Sequence, residues 1–169
     1  MLLAQSRHET ALGKEWMSVK ISHLHLSDFM LFQQADFQWS PGINVICGTN
    51  STGKTALIKL MYSLHKSYEQ WNSTETKEAA VNRFSEKLCG VFRPDNGKLG
   101  RLVRRKQGSA QMTASMSYEN GTSIDVNFGN RASKIATLIL PKMEHTASPD
   151  HTAVYFPPKE IISATENFL

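Results

Sequence analysis

Gly48-Thr49-Asn50-Ser51-Thr52-Gly53-Lys54-Thr55 decides how this chain is read. A glycine, four free positions and then Gly-Lys-Thr is the Walker A pattern of a phosphate-binding loop. Its surroundings agree. Before it, Gly42-Ile43-Asn44-Val45-Ile46-Cys47 is a short apolar run after a Pro-Gly turn and reads as a buried strand. After it, Ala56, Leu57, Leu60, Met61, Leu64 and Tyr68 recur at helical spacing. Strand, glycine-rich loop and helix follow in the order a phosphate cradle needs. Gly48 and Gly53 let the backbone wrap so that successive N–H groups and a helix N-terminus face an anion. Lys54 has the reach for the β- and γ-phosphates, and the Thr55 hydroxyl suits Mg²⁺.

Outward from that loop, the pattern is α/β. Val19, Ile21, Leu24, Leu26 and Phe29 mark a first strand, Phe32 falls in a turn, and Ala35, Phe37 and Trp39 alternate in a second strand. Beyond the loop helix, Asn72-Ser73-Thr74 breaks the pattern. A second helix over about 75–89 presents Ala79, Ala80, Phe84 and Leu88. Strand-like pieces follow at 101–107, 111–118 and 123–128. Asn120-Gly121 joins the last two as a hairpin signal, since both residues tolerate positive φ. Ile135 to Leu140 is a further apolar strand. Ala153 to Phe156 is a short final one, stopped by Pro157-Pro158, and Ile161, Ile162 and Phe168 suggest a helix beginning.

The 169 residues suit one domain with a real core, and 40% hydrophobic content fits a folded chain. No apolar run approaches the length of a membrane span, so no membrane partner is expected. Two cysteines are too few for a disulfide framework, which implies a cytoplasmic home. Residues 1–16 are weakly periodic and read as a flexible N-terminal extension before a regular segment over 17–169. The net charge is +4, with the excess mainly in Lys98, Arg101, Arg104, Arg105 and Lys106. That cluster reads either as a solvated or subunit-facing strand or, through Arg101, Arg104 and Arg105, as a contact for nucleic-acid phosphates.

Hydrolysis needs an acid for the Mg²⁺ shell at the tip of a second strand. Ile135 to Leu140 ends in Pro141 and Ala153 to Phe156 ends in Pro157. Asp125 lies inside a hairpin strand, Glu160 follows a double proline, and Asp28 and Glu144 read as surface residues. No catalytic residue is assigned. His23 and His25 share a strand face but lack a third ligand at metal spacing, so a surface pair is the better reading. His145 and His151 flank a loop. Cys47 reads as a small core side chain.

Phe29 and Phe32 form an F..F step ahead of the loop, and Asn50 follows its first glycine by two positions. With these, residues 19–64 resemble the N-terminal lobe of ABC-type ATPases of the SMC and RecF group, including AAA-labelled and OLD-like bacterial proteins. Phe92-Arg93-Pro94, the run Leu99 to Arg105, and Tyr155-Phe156-Pro157-Pro158-Lys159-Glu160 are similar to segments of the same group. Two departures stand out. Met30 occupies the position where many relatives carry a basic residue, and Ser51 replaces a common loop glycine.

The resemblance implies a P-loop NTPase lobe of ABC/SMC type, with a mixed sheet and an antiparallel strand region. It also implies ATP and Mg as cofactors. The family's signature serine motif, Walker B acid and switch histidine have no counterpart here. By resemblance the chain is thus an incomplete domain, awaiting a C-terminal lobe or partner chain, and nucleotide closes a homodimer. Alone it is expected to bind Mg-ATP weakly and hydrolyse it negligibly. The alternative is a non-enzymatic regulatory or vestigial P-loop domain acting through protein or nucleic-acid contacts.

Overall fold

A computed structural model describes residues 20–141 and 153–155. The extension over 1–16, Glu144, His145, His151, the double proline, Glu160 and the helix expected around Ile161 lie outside the described residues. β1 (Ile21–Phe29), β2 (Phe32–Gln38), β3 (Gln111–Tyr118), β4 (Ser123–Gly129) and β5 (Thr137–Ile139) form one sheet in the order β2-β1-β3-β4-β5. Every pairing among them is antiparallel. The expected mixed sheet is therefore corrected. A parallel partner requires the 42–47 segment to pair, and among the described residues it does not.

Alternation explains the strands. Leu24 and Leu26 of β1, Met112, Ala114 and Met116 of β3, and Ile124, Val126 and Phe128 of β4 point into one buried cluster. His23, His25, Ser115 and Asp125 take the opposite face. Two helices cover the apolar side. α1 (Lys54–Glu69) buries Leu57, Leu60, Leu64 and Tyr68, and α2 (Lys77–Phe92) buries Ala80, Phe84 and Leu88. Tyr68 stacks on Tyr118 at 5.3 Å between ring centroids, and Phe92 meets Phe29 edge-on at 5.9 Å. α2 is closed at both ends. The Thr76 hydroxyl accepts from the Ala79 amide, and Arg93 turns left-handed at φ 49° ahead of Pro94.

Four local expectations are revised. Phe32 opens β2 rather than sitting in the turn. Residues 101–107 are not a strand: Leu99–Leu102 is a single 3₁₀ turn, and Val103 bridges to Phe29. Gly100, inside that turn, donates its N–H to the Ala132 carbonyl at 2.9 Å. At the β3–β4 hairpin only Gly121 adopts positive φ, at 79°, while the Asn120 side chain accepts from the Thr122 amide. Ala153–Tyr155 carries no strand.

Residues 153–155 are instead tied to α1. Glu69 accepts the Ala153 N–H at 2.7 Å and pairs with Lys66 at 2.8 Å, and Tyr155 lies against Tyr62. Burial opposes ionisation of Glu69, but the Lys66 hydrogen bond, the Ala153 amide and the positive field of His65 outweigh it, so its carboxyl sits below the ordinary value of 4.5. A carboxylate depressed in the folded state stabilises above its unfolded value and ceases to as acid protonates it. Glu69→Gln should therefore cost about 1 kcal/mol at pH 7. The deficit should close as the pH falls below 4.5 and on through the lower folded value. Denaturant midpoints of both proteins across that range check this; a deficit independent of pH would refute it.

Candidate phosphate-binding loop

The loop leaves β2 through a pinned turn. Asn44 accepts from the Ser40 amide and donates to the Ser40 and Gly42 carbonyls, locking Ser40–Asn44. The chain then runs to the loop without strand pairing among the described residues. Ile43 is 93% exposed and Val45 78%, and Cys47 is exposed as well. The expectations of a buried strand and of a core cysteine are thus both corrected. An apolar run becomes a central strand only with neighbours on both sides, and β2 ends at Gln38.

Gly48 to Gly53 form the exposed curve of the loop, and α1 begins at Lys54. The Thr52 hydroxyl donates to the Thr49 carbonyl at 2.9 Å and draws the curve together. Lys54 Nζ folds back over the same curve, donating to the carbonyls of Gly48 at 2.7 Å and Thr49 at 2.5 Å. Its ammonium therefore stands at the centre of the loop, on the backbone that would enclose a phosphate. Asn50, Ser51 and Thr55 are exposed. Ser51 takes φ 62°, the left-handed conformation natural to the glycine it replaces. The first turn of α1 contains no acid, so nothing there neutralises the positive end of the helix dipole.

Gly53 caps α1 at φ 89° with no side-chain cap. A Cβ placed on it would stand 2.9 Å from both Cε2 and Cζ of Phe32. The glycine is thus required twice, by its conformation and by an aromatic ring in the space a side chain would take. This contact between the F..F step and the loop is invisible to sequence spacing.

The turn joining β1 to β2 is also held from its other side. Met30 donates its N–H to the Leu102 carbonyl at 2.8 Å, Arg104 donates to the Asp28 carbonyl at 2.7 Å, and Lys106 pairs with the Asp28 carboxylate at 2.5 Å. Asp28, expected at the surface, is buried, and its backbone is left-handed at φ 49°. Arg101 and Arg105 are exposed and Arg104 half-buried on this segment, so the basic residues lie on a turn and its exit rather than on a strand face.

The remaining candidates are not drawn together. Asp36 of β2 lies 2.7 Å from His25 and 3.5 Å from His23, a polar cluster on the outer sheet face. Among the described residues no group of three or more His, Cys, Asp or Glu is arranged to hold a metal ion. Asp125 faces outward on β4, beside the Ser123 hydroxyl. An open groove of about 610 Å³ follows α2 past Glu75, Arg83 and Glu86, and no loop residue lines it. Among the described residues no helix is long and apolar enough to cross a membrane.

A family model described as an AAA domain matches residues 23–139, a span that contains the whole loop. "DNA replication and repair protein RecF" of Corynebacterium jeikeium is 33% identical over 94 residues, 53% of this chain and 21% of that protein. The protein of the same name from Streptococcus equi subsp. zooepidemicus is 33% identical over 87 residues, 52% of this chain and 22% of its own length. That from Lacticaseibacillus casei is 30% identical over 103 residues, covering 60% and 24%. The chain thus spans less than a quarter of the length of these curated relatives.

Proposed function

Because the chain belongs to the AAA domain family and is related to RecF proteins of the SMC/RecF-like ABC ATPases, we propose that it is an ATP-binding lobe of such an ATPase. The observation that carries the reading is Lys54, whose ammonium is held at the centre of an exposed glycine loop at an acid-free helix N-terminus. Gly48, Thr49, Asn50, Ser51, Thr52 and Gly53 supply backbone N–H groups to the phosphates. Lys54 leaves the carbonyls of Gly48 and Thr49 and turns its charge to the β- and γ-phosphates. The exposed Thr55 hydroxyl suits a Mg²⁺ that takes one protein oxygen and completes its shell with phosphate and water. Mg²⁺ supplies charge neutralisation there.

In this reading the lobe binds and does not turn over. Hydrolysis calls for an acid at a strand tip and a signature motif, both contributed by a completing lobe or partner chain. The exposure of Ile43 and Val45 supports such a partner, because a run of this composition gains most from being covered by strands on either side. Nucleotide would then close an assembly, a homodimer being the simplest form, in a cytoplasmic setting. Arg101, Arg104 and Arg105 are the residues offered to nucleic acid or to the partner.

Calorimetric titration of the chain with Mg²⁺ and a non-hydrolysable ATP analogue tests the reading. Saturable one-to-one binding is expected, with no phosphate release from ATP itself. A folded chain that takes up no analogue would instead support the regulatory or vestigial alternative.

A further inference from the structure

Phe32 holds a position that the nucleotide reading does not use. Its ring lies parallel to Phe29 at 6.5 Å, meets Phe37 edge-on at 6.0 Å, and presents Cε2 and Cζ to Gly53. Phe29 is in turn held by Phe92 of α2. The ring is thus fixed by aromatic neighbours on both sides, one fully buried and one half-buried. The backbone that carries it is equally constrained, through Met30 to Leu102, Arg104 to Asp28 and Lys106 to Asp28. Above the ring, the Gly53 carbonyl accepts the Leu57 N–H at 2.9 Å, the bond that starts α1. A loop that is exposed along its outer curve therefore rests on a rigid floor at its last glycine.

We infer that Phe32 is a positioning residue of the phosphate loop: its ring sets where Gly53 sits, and through Gly53 the direction in which Lys54 and the first turn of α1 face an anion. The inference rests on the nucleotide reading for its consequence but not for its geometry. Phe32 touches no phosphate. It acts by reducing the ordering that the loop must undergo when ligand arrives.

The test pairs amide hydrogen exchange with analogue titration in the wild type, Lys54→Ala, Phe32→Ala and Phe32→Leu. Leu57 reports the loop–helix junction. Met116, in a strand paired on both sides, reports the rest of the fold. In Phe32→Ala, Leu57 should exchange roughly tenfold faster with Met116 unchanged, and affinity for the Mg-analogue should fall roughly tenfold. Phe32→Leu should restore part of both. Lys54→Ala should lose about 100-fold in affinity with Leu57 unchanged.

Equal acceleration of both amides would overturn the inference, since the ring would then be core packing only. So would unchanged Leu57 exchange in a folded Phe32→Ala. If the wild type takes no analogue, the nucleotide reading fails by itself, and Leu57 exchange alone decides the floor. Should Phe32→Ala not fold, Phe32→Leu carries the same readouts.

Discussion

Lys54→Ala should lose about 100-fold in affinity for a Mg-bound ATP analogue while melting like the wild type. The size follows from the bonds. An ammonium donating to phosphate oxygens makes charge-assisted hydrogen bonds of roughly 1.5–3 kcal/mol each, so losing one or two reaches that factor. The effect on folding is small for a different reason. Among the described residues the free Lys54 serves the carbonyls of Gly48 and Thr49 and the hydroxyl of Thr52, on an exposed curve where water replaces it. Calorimetry beside a thermal melt reads both quantities. Equal affinity in the two proteins would remove the phosphate loop from the binding site. The basic segment makes the contrasting prediction within the same experiment: if Arg101, Arg104 and Arg105 hold a polyanion, that binding weakens with salt and survives Lys54→Ala.

Gly100→Ala should cost about 3 kcal/mol of stability, with a fall in Tm of roughly 10 °C. Gly100 is buried, and its N–H reaches the Ala132 carbonyl. A methyl group there would run into the carbonyl of Asn130 and stand 3.0 Å from the Arg131 nitrogen. Those are backbone atoms, which cannot swing aside as a side chain does. The neighbouring Gly97, with nothing near its missing side chain, supplies a contrast in crowding. It sits at φ 64°, so Gly97→Ala should cost only the roughly 1 kcal/mol of a left-handed alanine. Thermal denaturation of the two variants separates crowding from conformation; a Gly100→Ala protein no less stable than Gly97→Ala would show that the close approach relaxes freely.

What the sequence discloses follows from how local the cause is. α1 and α2 are legible because Leu57, Leu60 and Leu64, then Ala80, Phe84 and Leu88, repeat at helical spacing, and that spacing alone fixes a face. β3 and β4 are legible because Met112, Ala114, Met116, Ile124, Val126 and Phe128 alternate. The loop declares itself through Gly53-Lys54-Thr55, where chemistry restricts residue type at adjacent positions.

Failures came where a neighbour distant in sequence decides. Ile43 and Val45 read as core because composition cannot say whether a partner strand exists. Leu102 and Val103 read as strand because their apolar character is the same in a 3₁₀ turn. Asp28 read as surface because its partner, Lys106, lies far along the chain. The Phe32–Gly53 contact likewise joins two motifs that a linear scan treats as separate.

The unpaired run after Pro41 carries one more consequence. Gly42-Ile43-Asn44-Val45-Ile46-Cys47 is uncharged, rich in β-branched residues and free of proline, the profile of segments that stack into cross-β assemblies. Pro41 guards one end, but no charge guards the other before Lys54. If the proposed partner covers this run, the surface it takes is also one that copies of this chain offer to one another. On that proposal, the chain expressed without its partner should aggregate through this run, and a charged replacement of the exposed Val45 should raise its soluble yield.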